Sequence, residues 1–172
     1  THAATAHAVE WVGARPVFVD CDPATGNVTA EGIAAALTPR TKAVSVVHFL
    51  GIPCEMDKIV ALAESHGLRV IEDAALAVGA RFSGKHAGLF GDVGTFSFYP
   101  TKHITTGEGG MFVTRHAAVA EAVSRLRAFG VARRIDTGIC HINGPTVHDE
   151  AQMPFGGMKD SGYGRFGGKA AI

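Results

Sequence analysis

The chain has 172 residues with 16 basic and 16 acidic side chains, so its formal net charge is zero. A balanced charge without a basic run gives no signature of a nucleic-acid partner or of binding to an anionic membrane surface. The three cysteines lack CxxC spacing and do not form an even set, which predicts a reducing, cytoplasmic compartment. The length suits one domain with an appendage, and no apolar stretch is long enough to span a bilayer.

The first part of the chain alternates short apolar runs with helical patterns. Residues 16–20 form an apolar run that ends in an aspartate, which predicts a buried strand. A threonine is placed to cap a helix over residues 29–37, and residues 43–49 predict the next strand. Asp57 opens a second helix, and Gly67 ends it.

The pattern continues with predicted strands at 68–71, 95–98 and 111–114, followed by a helix over 115–129. Strands that alternate with helices predict an α/β fold. Because the strand cores are apolar at successive positions, we expect a sheet covered on both sides. In such sheets ligands bind at the carboxyl ends of the strands, so that edge is the place to look for a site.

Chemically distinctive side chains follow two of these strands. Asp73 follows the strand at 68–71, and Ser97 and Lys102 stand five residues apart before a glycine-rich loop. This arrangement suits a pyridoxal 5'-phosphate (PLP) site. Lys102 would form the Schiff base, Asp73 would hold the pyridinium nitrogen charged, and Ser97 would bind phosphate. The apolar run before Lys102 should carry it toward the interior, where a partly desolvated amine forms a Schiff base more readily.

These residues also carry a resemblance to a known family. Residues 1 to about 130, including Glu72-Asp-Ala-Ala and the segment 97–110, resemble the large domain of the nucleotide-sugar aminotransferases, which are fold-type I PLP enzymes. The resemblance implies a partial three-layer α/β/α domain, and a homodimer in intact relatives. It implies transfer of an amino group from an amino acid such as glutamate to a keto-sugar nucleotide, with Lys102 as general base and acid. His2 matches a position where relatives set an aromatic ring over the cofactor.

Each of these residues also has an ordinary structural interpretation. Lys102 could be a solvated surface charge, Asp73 could cap the next helix, and Ser97 could bond a neighbouring carbonyl. His2 could be a frayed terminal residue. His48, at the end of a predicted strand, is interpreted as structural support for the site edge.

Two further features bear on the cofactor hypothesis. Leu76 stands where relatives usually carry Gln or His, and because leucine cannot hydrogen-bond, we expect weaker tuning of the cofactor. The glycine-rich stretch at 106–110 is interpreted as a tight turn with positive φ angles, and not as a phosphate cradle.

The last part of the chain has a different character. From about residue 134 it is similar to the C-terminal segment of aldehyde dehydrogenases, most clearly in Met-Pro-Phe-Gly-Gly-Met-Lys-Asp-Ser-Gly-Tyr-Gly-Arg at 153–165. This similarity divides the chain into an aminotransferase-like part, 1–130, and a loop-rich tail, 131–172. We expect few contacts across that junction, so removal of the tail should cost little stability.

Neither motif in the tail predicts a site. The GxGxxG match at 162–167 follows no predicted strand and opens no helix, so it does not predict dinucleotide binding. Cys140 and His141 are adjacent in an extended stretch and point opposite ways, so they do not form a nucleophile–base pair. Two alternatives stay open: a catalytically inactive fusion fragment, and an aldehyde dehydrogenase fragment assigned by its tail.

Overall fold

The computed structural model describes residues 2–127 and the backbone of two short strands beyond them, Phe155–Gly156 and Arg165–Phe166. The chain divides into two compact units, Thr1–Ala117 and Ala118–Ile172. The first unit contains the sheet and the predicted site residues. Some of the sequence predictions concern residues outside this described part, apart from the backbone of those two strands. They are the predictions made for Cys140, His141, the 162–167 motif and the 131–172 boundary.

The helices are α1 (Ala3–Trp11), α2 (Ala30–Ala36), α3 (Met56–Ser65) and α4 (Ala117–Arg125), and a 3₁₀ turn covers Phe49–Gly51. The strands are β1 (Ala43–Val47), β2 (Arg69–Asp73), β3 (Arg81–Phe82), β4 (Lys85–His86), β5 (Val93–Ser97), β6 (Gly110–Thr114), β7 (Phe155–Gly156) and β8 (Arg165–Phe166). No helix in the described part of the chain has the length and hydropathy needed to cross a membrane.

The central sheet has the strand order β1-β2-β5-β6. Strand β2 pairs parallel with β1 and with β5, and β6 runs antiparallel to β5. The carboxyl ends of β1, β2 and β5 therefore lie at one edge of the sheet, and the loop from β5 to β6 lies at the same edge. This topology confirms the α/β class.

One face of the sheet carries the core. On β1, Val44 and Val46 are buried while Ala43 and Ser45 are exposed. These valines belong to a core with Ile33 of α2, Val70 of β2 and three residues of α3, namely Met56, Ile59 and Ala63. The structure thus differs from the expectation of strands buried on both faces, because alternate residues of β1 point away from this core. On β2, Ile71 remains 37% exposed for the same reason.

Most predicted elements are present within a few residues of their expected limits. Thr29 caps α2 by accepting a hydrogen bond from the Gly32 N–H at 3.1 Å, and Gly67 follows α3 with φ +63°. The predicted strand at 16–20 is wrong: the segment forms no strand, and Phe18 is 74% exposed. A strand needs a partner for its backbone N–H and C=O groups, and none of the described residues supplies one. Helix α1 was not predicted, because its sequence has no apolar stripe. In the structure none of its residues is buried.

Gly94 of β5 is a steric requirement of this fold. A Cβ at this position would collide with the carbonyl oxygen of Gly88. We expect Gly94→Ala to lower the free energy of unfolding by about 3 kcal/mol through overpacking. Gly67→Ala is the matched control, because its Cβ would meet open space and only its positive φ is unfavourable; it should cost about 1 kcal/mol. Urea unfolding measures both, and equal losses would contradict a steric role for Gly94.

Candidate active site

Asp73 is the last residue of β2 and points to the face opposite the core. Its Oδ2 accepts a hydrogen bond from the Thr5 hydroxyl at 2.8 Å, and its Oδ1 accepts one from the Ala75 N–H at 3.1 Å. The second bond fixes the chain where it leaves the strand, in the manner of an Asx turn. Asp73 therefore stabilises a turn instead of capping a helix, and α1 meets the sheet at this carboxylate.

Ser97 shares a face of the sheet with Asp73. The register pairs Asp73 with Thr95, and Ser97 lies two residues further along β5, so the side chains of Asp73, Thr95 and Ser97 project to the same side. The Ser97 hydroxyl oxygen accepts a long 3.4 Å bond from the Tyr99 N–H. It does not donate to a neighbouring carbonyl within the described part of the chain, which leaves its proton available to a ligand.

Lys102 lies in the loop that joins β5 to β6, at the same edge of the sheet. Its backbone N–H donates to the Tyr99 carbonyl at 2.9 Å, and its side chain is half-buried. Among residues 2–127 no group hydrogen-bonds its ammonium, and it forms no ion pair with Asp73. An amine, a hydroxyl and a carboxylate are thus present at one end of the sheet without neutralising each other.

The glycine-rich loop after Lys102 folds as a tight turn. Gly107 has φ +82° and Gly109 has φ +154°, conformations that favour glycine. The turn closes through the Phe98 N–H, which donates to the Gly109 carbonyl at 2.8 Å. This confirms the interpretation of residues 106–110 as a turn.

The structure gives different surroundings to the candidates His2 and Leu76 and to His103, the neighbour of Lys102. His2 is exposed and caps α1, its Nδ1 accepting from the Ala4 N–H at 3.1 Å. Because Thr5 of the same helix touches Asp73, His2 begins the helix that approaches the predicted site. His103 is exposed, and Leu76 is half-buried. The cofactor roles of His2 and Leu76 stay predictions.

His48 is part of a buried network, which confirms its structural role. Its Nδ1 accepts the Cys54 N–H at 3.2 Å, so its other ring nitrogen, Nε2, carries the proton and donates to Glu72 Oε2 at 3.0 Å. His48 and Glu72 both have 0% exposure. The Cys54 thiol in turn donates to the Val47 carbonyl at 3.4 Å.

Glu72 receives two more donors from the turn that precedes β5. The Gly91 N–H donates to Oε1 at 2.6 Å and the Gly88 N–H donates to Oε2 at 2.7 Å. Burial alone would raise the pKa of the Glu72 carboxyl, but the hydrogen bonds from His48, Gly91 and Gly88 outweigh burial and leave that pKa below its ordinary value. Burial, helped by the Glu72 charge, raises the pKa of the Cys54 thiol to about 11, so this thiol is unsuited to nucleophilic chemistry.

Sequence reasoning missed two residues of this region, Thr5 and Glu72. Glu72 gave one signal, because a charged residue stood at a position of β2 where alternation predicts burial. Thr5 gave none, since its partner lies 68 residues away in the chain. Within the described residues no group of three His, Cys, Asp or Glu side chains could hold a metal ion.

The α/β sheet, with an amine, a hydroxyl and a carboxylate at the carboxyl ends of its strands, is the arrangement expected of a PLP enzyme. Comparison with known proteins agrees. The DegT/DnrJ/EryC1/StrS aminotransferase family matches residues 1–147, and the chain belongs to this family.

Two of the similar proteins are named for sugars linked to different nucleotides. The chain is 52% identical over 131 residues to UDP-N-acetyl-3-dehydro-alpha-D-glucosamine 3-aminotransferase of Acidithiobacillus ferrooxidans, covering 76% of this chain and 36% of that protein. It is 48% identical to DesI, solved with its TDP-sugar product, with a TM-score of 0.72 over 76% of this chain and 33% of DesI. It thus spans about a third of the length of these relatives.

PLP is the cofactor of the enzymes of this family. The E. coli GDP-4-keto-6-deoxy-D-mannose-3-dehydratase, solved with hydrated PLP bound, is 34% identical, with a TM-score of 0.72 over 80% of this chain and 35% of that one. The groups that PLP requires are present here: a carboxylate to accept from its ring nitrogen, a hydroxyl to donate to its phosphate and a primary amine to react with its aldehyde. The chemistry of the described residues therefore fits the cofactor.

The lowered pKa of Glu72 predicts a pH-dependent stability. An unfolded glutamate titrates near pH ~4.3, so the stability from Glu72 ionisation is present above that pH and is lost as the pH falls through the folded pKa. We expect Glu72→Gln to lower the free energy of unfolding by about 2 kcal/mol at pH 7 and by less as the pH falls. Urea unfolding at several pH values checks this, with the exposed Glu64→Gln as control. A difference that stayed constant with pH would contradict an ionised Glu72.

Proposed function

We propose that this chain is the cofactor-binding part of a PLP-dependent aminotransferase that acts on a keto-sugar nucleotide, with an amino acid such as glutamate as the amino donor. The observation that carries the proposal is the half-buried Lys102 amine, which no described residue pairs, at the sheet edge that also holds Asp73 and Ser97. The family match and the nucleotide-sugar relatives support the same conclusion.

Bound PLP supplies an aldehyde that condenses with an amine and a ring that withdraws electrons from the reacting carbon. Lys102 would provide the amine, and its Nζ would take and return the proton of the substrate carbon as general base and acid. The Asp73 carboxylate, which Thr5 and Ala75 orient, would balance the positive charge of the ring nitrogen. The Ser97 hydroxyl would donate a hydrogen bond to the phosphate.

The substrate class, the oligomeric state and the cellular location are parts of the same proposal. UDP, TDP and GDP sugars are named for different relatives, so the proposal commits to the nucleotide-sugar class and not to one base. A homodimer, a cytoplasmic location and a cofactor contact from His2 belong to the proposal as well. The aldehyde-dehydrogenase-like character of residues 131–172 stays a prediction from sequence.

Addition of PLP to the full chain tests the assignment of Lys102. We expect a visible absorption band, and borohydride reduction should leave a stable adduct on the Lys102 peptide in mass spectrometry. Lys102→Ala should abolish the adduct, whereas Lys42→Ala, at an exposed lysine, should keep it. A wild-type protein without band or adduct would favour the inactive-fragment alternative, and aldehyde-dependent NAD reduction would favour the dehydrogenase alternative.

Leu76 gives a second prediction for the same site. Leu76→Gln restores a polar side chain at a half-buried position three residues after Asp73. We expect the free energy of PLP binding to become more favourable by the value of one hydrogen bond, about 1 kcal/mol. The absorption band should also become sharper. Leu126→Gln, at a 43% exposed leucine that follows α4, is the matched control and should change neither. Unchanged binding in Leu76→Gln would show that this side chain lies away from the cofactor.

A further inference from the structure

Strand β2 ends in two adjacent carboxylates that serve opposite faces of the sheet. Asp73 points to the proposed cofactor site, and Glu72 points into the core. The proposed chemistry uses only Asp73. The buried charge of Glu72 therefore needs a separate explanation, because burial of a carboxylate is unfavourable unless hydrogen bonds or an opposite charge compensate for lost water.

Glu72 holds the turn at residues 88–91, which leads into β5. Its two carboxylate oxygens accept the N–H groups at both ends of this turn, from Gly88 at 2.7 Å and from Gly91 at 2.6 Å. A single side chain on β2 thus fixes where the turn begins and where it ends.

Arg115 holds the same turn by its carbonyl groups. Its Nη2 donates to the carbonyl oxygens of Leu89 at 3.1 Å, Phe90 at 2.7 Å and Gly91 at 2.9 Å. The peptide groups of the turn are therefore bound by a buried anion through their N–H groups and by an exposed cation through their oxygens. Both sets of bonds are charge-assisted and stronger than neutral ones.

The glycines of the turn pack closely against β2 and β5. A Cβ at Gly91 would lie 2.6 Å from the Val70 carbonyl oxygen, and a Cβ at Gly88 would lie 2.5 Å from the Phe96 ring. The turn leaves no room for a Cβ at either glycine, so its position is coupled to Val70 of β2 and to Phe96 of β5. Strand β5 ends at Ser97 and leads to Lys102, while β2 ends at Asp73.

We propose that Glu72 is a positioning residue for the cofactor site: through the 88–91 turn it sets the place of β5 beside β2, and so the separation of Asp73 from Ser97 and Lys102. The proposal rests on the proposed PLP function for its ligand. The control of the position of β5 by Glu72 does not depend on the cofactor.

The experiment compares the full wild-type chain with Glu72→Gln, Glu72→Asp and Ile59→Val. Glu72→Gln keeps the length of the side chain but turns an amide toward N–H donors, and Glu72→Asp keeps the charge but is too short to reach both ends of the turn. Ile59→Val is the stability control, because Ile59 is a buried core residue of α3 that belongs to no part of the turn.

Two readouts are used, one without PLP and one with it. Without PLP, we expect amide hydrogen exchange in the 88–97 peptides to become faster in both Glu72 variants, while β1 keeps its protection. With PLP, we expect the dissociation constant to rise about tenfold, equivalent to ~1.4 kcal/mol, and the absorption band to change. Ile59→Val should keep the wild-type dissociation constant and band, because its folded molecules still place the site correctly.

The outcomes separate the two proposals. A wild-type chain that does not bind PLP refutes the proposed function, and hydrogen exchange at β5 then decides the role of Glu72 alone. Folded Glu72 variants with wild-type exchange and wild-type PLP affinity overturn the positioning role. If the Glu72 variants do not fold, Arg115→Gln loosens the same turn from its exposed side. It should shift both readouts in the same direction by about threefold, and wild-type values in that variant also overturn the inference.

Discussion

Glu72 brings a negative charge into a core from which water is excluded, and the fold surrounds it with N–H donors from His48, Gly88 and Gly91. Removal of one partner from such a buried charge typically costs about 3–5 kcal/mol. The donors come from two separate stretches of chain, the residue after β1 and the 88–91 turn. The Glu72 carboxylate has all of these hydrogen bonds only when β1, β2 and the 88–91 turn are assembled together. This interaction therefore couples the packing of the core to the position of the sheet edge.

Strand geometry then connects this core to the site. Because side chains alternate along a strand, the residue after Glu72 must point to the other face, and that residue is Asp73. The parallel register carries the same division into β5, where Gly94 stands beside Glu72 and Thr95 beside Asp73. A small residue is required at Gly94 because the turn held by Glu72 occupies the space above it. The opposite face carries Asp73 and Ser97, which the proposed function assigns to the cofactor.

The sequence pointed to the candidate site residues more readily than to the groups that hold them in place. Asp73, Ser97 and Lys102 could be proposed because their residue types and spacing suit the chemistry of a cofactor, and helix α2 could be predicted from Thr29 because capping is local. The strand expected at 16–20 does not form, because an apolar run states a preference for burial but cannot supply the partner strand. Thr5 could not be found, since its bond to Asp73 depends on how the chain returns to the sheet.

What the sequence determined by itself was therefore local or chemical: the helix caps, the strand periods, the glycines of the tight turn at 106–110 and the set of reactive groups. Only the tertiary structure decided which carboxylate of the Glu72-Asp73 pair would be buried and which would face the site. The physical reason is that burial of an ion depends on N–H donors that lie 16, 19 and 24 residues away in the chain. Their convergence is a property of strand order and register, which no local pattern of residues encodes.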